Sequence, residues 1–401
     1  MRIISKRLKR AATAAAFGGL AMLSALPMAS FAADTLRPEI AKPLNAAQDL
    51  YRAHKYKDAL AKIGAAAAVP NKTPYETNMI EEMRGAAAMA AGDTATAAQA
   101  YEALLAGGRL SGEDEARMSS VLAGIYFQQK SYAKAISIAQ RYLKAGGSDP
   151  QMRTLLVQSY YLSNDFADAT KLLKASVEAQ VHAGHAPDEA DLQLLGTCAQ
   201  QAKDDAAYRS ALEALVAYHS KPSYWVDLFA SIRSEPGYSS RLDIDIYRLR
   251  RAAGSLTTAD DYMEMTQLAI VSGSTAEAKQ VIDQGFASGI LGRDAQAARE
   301  KRLQTLAATR AQAPADSANS VSPVDAGLNL VFAGKANEGT SMMEAAIAKG
   351  GLDHPDEARL HLGVAYYVAG QKTRAVRVFR AVKGADGSAE LARMWLLVVS
   401  K

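Results

Sequence analysis

Two short stretches gather the residue types that hold metals or move protons. The first is His182-Ala-Gly-His185 with Asp188 and Glu189 just beyond, a set of two imidazoles and two carboxylates of the kind that binds zinc. A hydrolytic zinc site of the HExxH type places its histidines on one helix face, with a glutamate beside the first as general base. Here Ala183, Gly184 and Pro187 interrupt the stretch and that glutamate is missing, so it reads as a solvated loop between helices. The second is Asp353-His-Pro-Asp-Glu, with His354, Asp356 and Glu357 as candidate ligands. It reads as the start of a helix near Ala358, because proline is tolerated at the first helical position and acids there complement the helix dipole.

The remaining chemistry is sparse. Cys198 is the single cysteine, so the chain forms no internal disulfide, and its apolar surroundings make it a small hydrophobe. Tyr224 and Trp225 could stack on sugar rings, which keeps a glycan- or peptidoglycan-binding module among the alternatives. A metal-dependent envelope enzyme centred on His182, His185 and Asp188 is the other. No glycine-rich phosphate loop, Gly-x-Ser-x-Gly elbow or cysteine pair is present. No residue is nominated as catalytic, cofactor-binding or metal-ligating, and the chain is expected to need no cofactor and not to be an enzyme.

The start of the chain carries an address. Arg2, Lys6, Arg7, Lys9 and Arg10 precede an uncharged, alanine-rich run from Ala11 to Met28, followed by Ser30-Phe31-Ala32. A basic segment, an apolar segment and small residues flanking a cleavage point describe a secretory signal over residues 1–32, and a periplasmic location is expected. No cysteine near that point is available for lipid attachment. The apolar run barely reaches the roughly 20 residues of a spanning helix and contains Gly18, Gly19 and Pro27, so no integral membrane span is expected after cleavage. Removing the five basic residues of this leader from 46 leaves 41, against 42 acidic. A mature chain close to neutral, with its charges interspersed, offers no footprint for nucleic acid.

What positions any functional residue is a repeat. The pattern of a small residue, an apolar or aromatic one three further on, a turn, then another small residue recurs. It runs through Ala47, Leu50, Tyr56, Ala59 and Ile63; Gly85, Ala88, Gly92, Ala97 and Tyr101; Ala123, Tyr126, Tyr132, Ala135 and Ala139; and Val157, Tyr160, Phe166, Ala169 and Leu173. A weaker unit has Gly196, Ala199, Asp205 and Leu212, with Tyr208 where a small residue is expected, and later ones hold Thr266, Ala269, Gly273, Ala278 and Ile282. Leu362, Gly363, Tyr366, Gly370, Ala375 and Phe379 form the clearest unit. Two antiparallel helices per unit explain the spacing: small residues stand where the helices approach, and stacking buries the apolar face that one pair cannot bury alone.

These residues resemble the tetratricopeptide-repeat family over most of residues 40–385. The resemblance implies an all-α, right-handed superhelical solenoid of antiparallel helix pairs that binds other proteins. It also implies a groove lined by fixed positions of each first helix, here Tyr51, Met89, Phe127 and Tyr161, with Arg117, Gln128, Gln158 and Gln193 as polar contacts for an extended peptide or a partner helix. Core packing is the alternative role for the aromatic members. Lysine and asparagine of the family's carboxylate clamp are replaced by Leu44 and Gln48, which disfavours a C-terminal carboxylate ligand.

The expected organisation is a repeat array over 33–220, an irregular continuation over 221–311 that contains Pro236-Gly237 and Arg248-Leu-Arg-Arg, a linker at 312–324 rich in small, polar and proline residues, and a C-terminal pair with a capping helix over 325–401. The run from Lys349 to Gly363, with Trp395 beyond, is similar to repeat proteins that accompany TonB-type energy-transduction systems, over roughly the last 80 residues. That similarity implies a cell-envelope protein partner, an inner-membrane-anchored transducer or its motor proteins.

Overall fold

The computed structural model describes residues 35–312 and 322–400. The leader at 1–32 and most of the linker at 312–324 lie outside the described residues. Twenty α-helices and one short 3-10 turn make up the described chain, and no strand occurs among them. In order they are α1 (Pro38–Arg52), α2 (Tyr56–Ala67), α3 (Pro74–Ala91), α4 (Thr94–Ala106), α5 (Gly112–Gln128), α6 (Tyr132–Lys144), α7 (Pro150–Leu162), α8 (Phe166–His182), α9 (Glu189–Ala202), α10 (Asp205–His219), α11 (Pro222–Arg233), α12 (Asp243–Ala252), α13 (Ala259–Val271), α14 (Thr275–Ala287), α15 (Ala297–Gln312), α16 (Pro323–Phe332), α17 (Ala336–Lys349), α18 (Pro355–Val368), α19 (Lys372–Phe379) and α20 (Ser388–Val399).

Helix boundaries follow local chemistry. Proline occupies the first turn of α1, α3, α7, α11, α16 and α18, where its missing N–H costs nothing. Thr73 and Glu76 close a capping box on α3, and Thr258 and Asp261 do the same on α13. The turn inside each pair uses one left-handed residue at a fixed place, seven after the small residue of the first helix. Glycine takes it at Gly92, Gly273, Gly334 and Gly370, while His54, Lys130, Asn164 and Lys203 adopt it with side chains attached.

The chain divides into two compact units. One runs from the start of the described chain to Ala179 and includes Thr197–Lys203; the other comprises Gln180–Gly196 and everything from Asp204 onward. In the first, α1–α2, α3–α4 and α5–α6 are packed pairs, and each pair leans on the next. Ile40, Leu44, Ile63 and Ile80 build one part of its core, and Leu104, Leu122, Ile125 and Tyr126 another. Removing a side chain such as Ile63 or Leu122 from such a core costs about 2–5 kcal/mol.

Close approach within pairs is set by the small residues. A Cβ at Gly85 would come within 2.6 Å of the Tyr101 ring, and one at Gly363 within 2.3 Å of Phe379. Tyr208, which breaks the expected pattern, leaves room opposite Gly196: a Cβ there would stand in ordinary contact, 3.7 Å from Ala211 and 3.8 Å from the Tyr208 ring.

The contact between successive pairs also repeats. Tyr126 on α5 donates to Glu102 on α4, and Lys134 lies 4.8 Å above the tyrosine ring. In the second unit Tyr366 on α18 donates to Glu344 on α17, and Arg374 lies 4.2 Å above its ring. At the equivalent place Gln140 donates to Tyr160 Oη at 2.7 Å. A buried phenol oxygen needs a partner, and a polar side chain of the preceding pair supplies it, a carboxylate for Tyr126 and Tyr366 and an amide for Tyr160.

The second unit adds buried charge. The irregular stretch folds as α11, a turn with Gly237 at φ 92°, the 3-10 segment Ser240–Leu242, and α12. α12 carries Asp245 and Arg248, both buried. Arg248 grips Glu277 on α14 with Nη2 at 2.8 Å from Oε2, donates to Asp245 Oδ1 at 3.0 Å and reaches Ser274 Oγ at 3.1 Å. His361 on α18 lies 3.1 Å from Asp245 Oδ2 and 3.3 Å from Asp325 Oδ1 on α16.

Candidate partner-binding face

In the first unit the first helices of neighbouring pairs touch, α1 against α3 and α5 against α7. Positions spaced three, four and seven along each of them share one face, so Met89, Arg117, Gln128, Gln158 and Tyr161 stand on a surface built by several helices rather than on one.

The aromatic members are half-buried, because each closes its own hairpin. Tyr51 meets Tyr56 edge-on with ring centres 5.3 Å apart, Phe127 meets Tyr132 at 5.8 Å, and Tyr161 meets Phe166 at 5.5 Å. In every case the partner is the first residue of the following helix. Met89 packs against the core around Leu104 and Tyr126. These side chains therefore present an edge to the face and give most of their area to the turn.

The polar members stand further out. Gln128 is exposed and Gln158 half-buried. Arg117 is exposed and pairs with Asp114 one turn earlier, at 2.8 Å. Gln193 belongs to the second unit, where its amide donates to Tyr224 Oη at 2.6 Å.

Glu82 joins this face and buried Tyr101 lies beneath it, neither of them among the groove positions nominated from the sequence. Tyr101 comes from the second helix of its pair, and its ring passes over Gly85, where any side chain would block it. Burial pushes its phenol up to about 12, and Tyr51, Arg117 and Glu82 lie close enough to act on it. Glu82 on α3 is held above the usual carboxylate range by partial desolvation, against the pull of Arg117 and with the push of Asp114. Sequence carried a signal for Tyr101: an aromatic stands sixteen residues after a glycine here and again at Gly363 and Phe379.

The other candidate residues find structural roles. His182 and His185 are exposed, while Asp188 accepts from Ala190 N at 2.7 Å and so caps α9. No group of three or more potential metal ligands converges among the described residues. Asp356 pairs with Arg359 at 2.9 Å, and Glu357 with Arg241 at 3.1 Å. Trp225 is 2% exposed and stacks on Phe229, and Tyr224 is 8% exposed, so neither ring is open to a sugar. Cys198 is buried and burial pushes its thiol up to about 11, which removes it as a nucleophile. No helix among the described residues is long and apolar enough to cross a membrane.

Comparison with known proteins agrees with the repeat. The tetratricopeptide-repeat model matches residues 82–150 and 324–390, one stretch in each compact unit. The chain thus carries tetratricopeptide repeats in an all-helical, solenoid-type fold, and such repeats mark a scaffold for protein–protein contacts. No curated protein sequence matches it. Among solved structures, the tetratricopeptide-repeat domain of P58(IPK) is 14% identical, with 90% of this chain and 98% of that one covered and a TM-score of 0.24. The structure of Naa15/Naa10 bound to HypK-THB is 15% identical over 89% of this chain and 60% of that one, with a TM-score of 0.34. Yeast Tom70 is 10% identical over 90% and 95%, with a TM-score of 0.21. None of the three superposes well enough to speak to function.

Proposed function

We propose that this protein is a non-catalytic adaptor that binds a protein of the bacterial cell envelope from the periplasmic side. The observation that carries the binding role is the first-helix face of the first unit. Glu82, Arg117, Gln128 and Gln158 stand on it at spacings fixed by packed helices. Such a face holds donors and acceptors ready without ordering a loop, which keeps the entropic cost of binding low. Mixed amide, carboxylate and guanidinium groups beside aromatic edges suit an extended peptide or a helix of near-neutral charge.

Export rests on the leader at 1–32, whose basic, apolar and small-residue segments follow one another in the order a secretory signal requires. The finer reading, a partner belonging to a TonB-type energy-transduction system, rests on the similarity of the run from Lys349 to Gly363 and of Trp395. The test is affinity capture from envelope extract with the mature chain and with a Glu82→Ala, Arg117→Ala, Gln158→Ala variant of unchanged helicity. Loss of a captured envelope protein from the variant alone supports the reading. Identical capture by both chains refutes the face, and an inner-membrane transducer missing from every capture refutes the TonB-type partner.

A further inference from the structure

The second unit leaves one face uncovered. α15 packs on α13 and α14, while α16, the next helix in the chain, packs on α14, α17 and α18. Only Glu300 and Ala307 of α15 are fully buried. Its outer side carries Arg302, Leu306 and Arg310 at four-residue spacing, which aligns them in one stripe. α13 carries a second stripe, in which Asp260, Glu264 and Val271 are all exposed at spacings of four and seven. At 85% Val271 is the most exposed large hydrophobic side chain among the described residues, and Leu306 is 43% exposed.

The charges of these stripes have no partner within the chain. Arg233, Arg241, Arg250 and Arg374 of the same unit each reach a carboxylate. By contrast Asp260, Glu264, Arg302 and Arg310 make no hydrogen bond or ion pair among the described residues. Glu300, the one acid on α15, is turned inward and accepts from Gly292 N at 2.6 Å, so nothing on the helix offsets its arginines. The stripes also open on the same side. Arg299 in the first turn of α15 lines one cavity with Asp260 and Glu264 from the first two turns of α13, so the two helices begin side by side and run the same way.

We propose that a second copy of this chain covers this face, related by a two-fold axis that sets α13 of each protomer on α15 of the other. One rotation then satisfies both stripes at once, acid on base and base on acid, and closes the assembly as a dimer. It also reverses helix direction across the contact. With Val271 on Leu306, Glu264 stands about 10 Å from that point and Arg310 about 6 Å from it on the same side, a gap that an arginine side chain spans. Apolar side chains ringed by charged ones give the contact the dry centre and polar rim of a protein interface. Like charges brought together by any other register would repel, which selects this arrangement. The dimer is independent of the face on the first unit, so either can fail without the other.

Sedimentation velocity of the mature chain over a concentration series tests it, and wild type is expected to form dimers as concentration rises. Asp260→Lys with Glu264→Lys makes both stripes basic, and Arg302→Glu with Arg310→Glu makes both acidic. Each of these variants alone is expected to self-associate about tenfold or more weakly, with helicity unchanged by circular dichroism. Mixed one to one, the two variants are expected to recover dimers, because each then meets the opposite charge at both contacts. That recovery also shows that both chains are folded. A wild type that stays monomeric up to about 100 µM leaves the face to another occupant and overturns the proposal. So do species that grow beyond the dimer, variants as dimeric as wild type, or a mixture that stays monomeric.

Discussion

The two compact units use the same repeat and hold themselves together differently. In the first, Glu76 is the one fully buried charge among the described residues: half-exposed Arg37 grips it with Nε at 2.8 Å from Oε1 and Nη2 at 2.9 Å from Oε2, and Arg141 meets Glu115 at 2.6 Å where both side chains are partly exposed. Its interior is Ile, Leu, Ala and Tyr. The second buries Asp245, Arg248, Glu277 and His361, and through them joins helices that a simple stack would keep apart. Near-neighbour packing leaves a face free for a partner, whereas long-range polar contacts consume surface to hold a single arrangement.

The sharpest way to break that contrast is to remove one charge from each unit. Asp245→Ala takes one buried carboxylate from both Arg248 and His361, leaving them Glu277 and Asp325, and is expected to cost about 3–5 kcal/mol, whereas Arg141→Ala at a partly exposed pair is expected to cost about 1 kcal/mol or less. Denaturant unfolding of both variants decides it, and similar losses would erase the distinction.

Titration separates the units as well. His361 faces Asp245 and Arg248 from α12 and Asp325 from α16. Burial opposes its charge, but the carboxylates win and raise it to about 10. Its folded value exceeds its unfolded one, so the stability it contributes is complete below about pH 6.5 and is lost as pH rises through about 10. Asp245 and Asp325 are lowered despite burial, mainly by His361, with Arg248 assisting, so they add a loss as pH falls below the ordinary carboxylate range. In the first unit Glu76 is held down to about 2, chiefly by its hydrogen bond with Arg37, and its contribution is present above about pH 4.5 and lost as pH falls through about 2. Exchange measured at pH 9–10 should therefore loosen α12 and α18 while α1 and α3 stay protected; early loosening of α1 and α3 at that pH contradicts the assignment.

Glycine positions give a smaller effect. Gly363→Ala meets Phe379 at 2.3 Å and should lose about 1–3 kcal/mol, while Gly196→Ala, with 3.7 Å of room and a helical backbone, should gain up to about 1 kcal/mol. Thermal melts of the two variants should move in opposite directions. Smallest is the latch the units share. Tyr126→Phe and Tyr366→Phe each remove one hydrogen bond to a glutamate and should cost a similar amount, about 1 kcal/mol. Markedly unequal losses would mean that the repeat contact is not equivalent in the two units.

How much of this was legible depends on how local the constraint is. The pairing of small residues with a helix twelve or sixteen positions on was readable, because Ala47 with Ala59 and Gly85 with Tyr101 impose it within a single unit. The same locality located the hairpin turns at Gly92 and Gly370. The groove residues were legible only as positions. Tyr51, Phe127 and Tyr161 fall on the first helices, but their edge-on contacts with Tyr56, Tyr132 and Phe166 depend on the angle of the turn, which no residue type announces. Tyr101 lies beneath the same face, its ring over Gly85, a fact of geometry. Asp245, Arg248 and His361 were invisible for a stronger reason: each reads as a solvated helix charge, and only the return of α18 across 116 residues turns them into one cluster.

The central claim is that the first-helix face of the first unit binds a protein partner. The most direct test places a photoreactive side chain in living cells at Gln128 or Gln158 on that face, and at exposed Lys144 or Lys171 on the second helices of the same unit. The account predicts a discrete cross-linked protein from Gln128 and Gln158 and none from Lys144 and Lys171. Adducts from the lysine positions with none from the glutamines would contradict it.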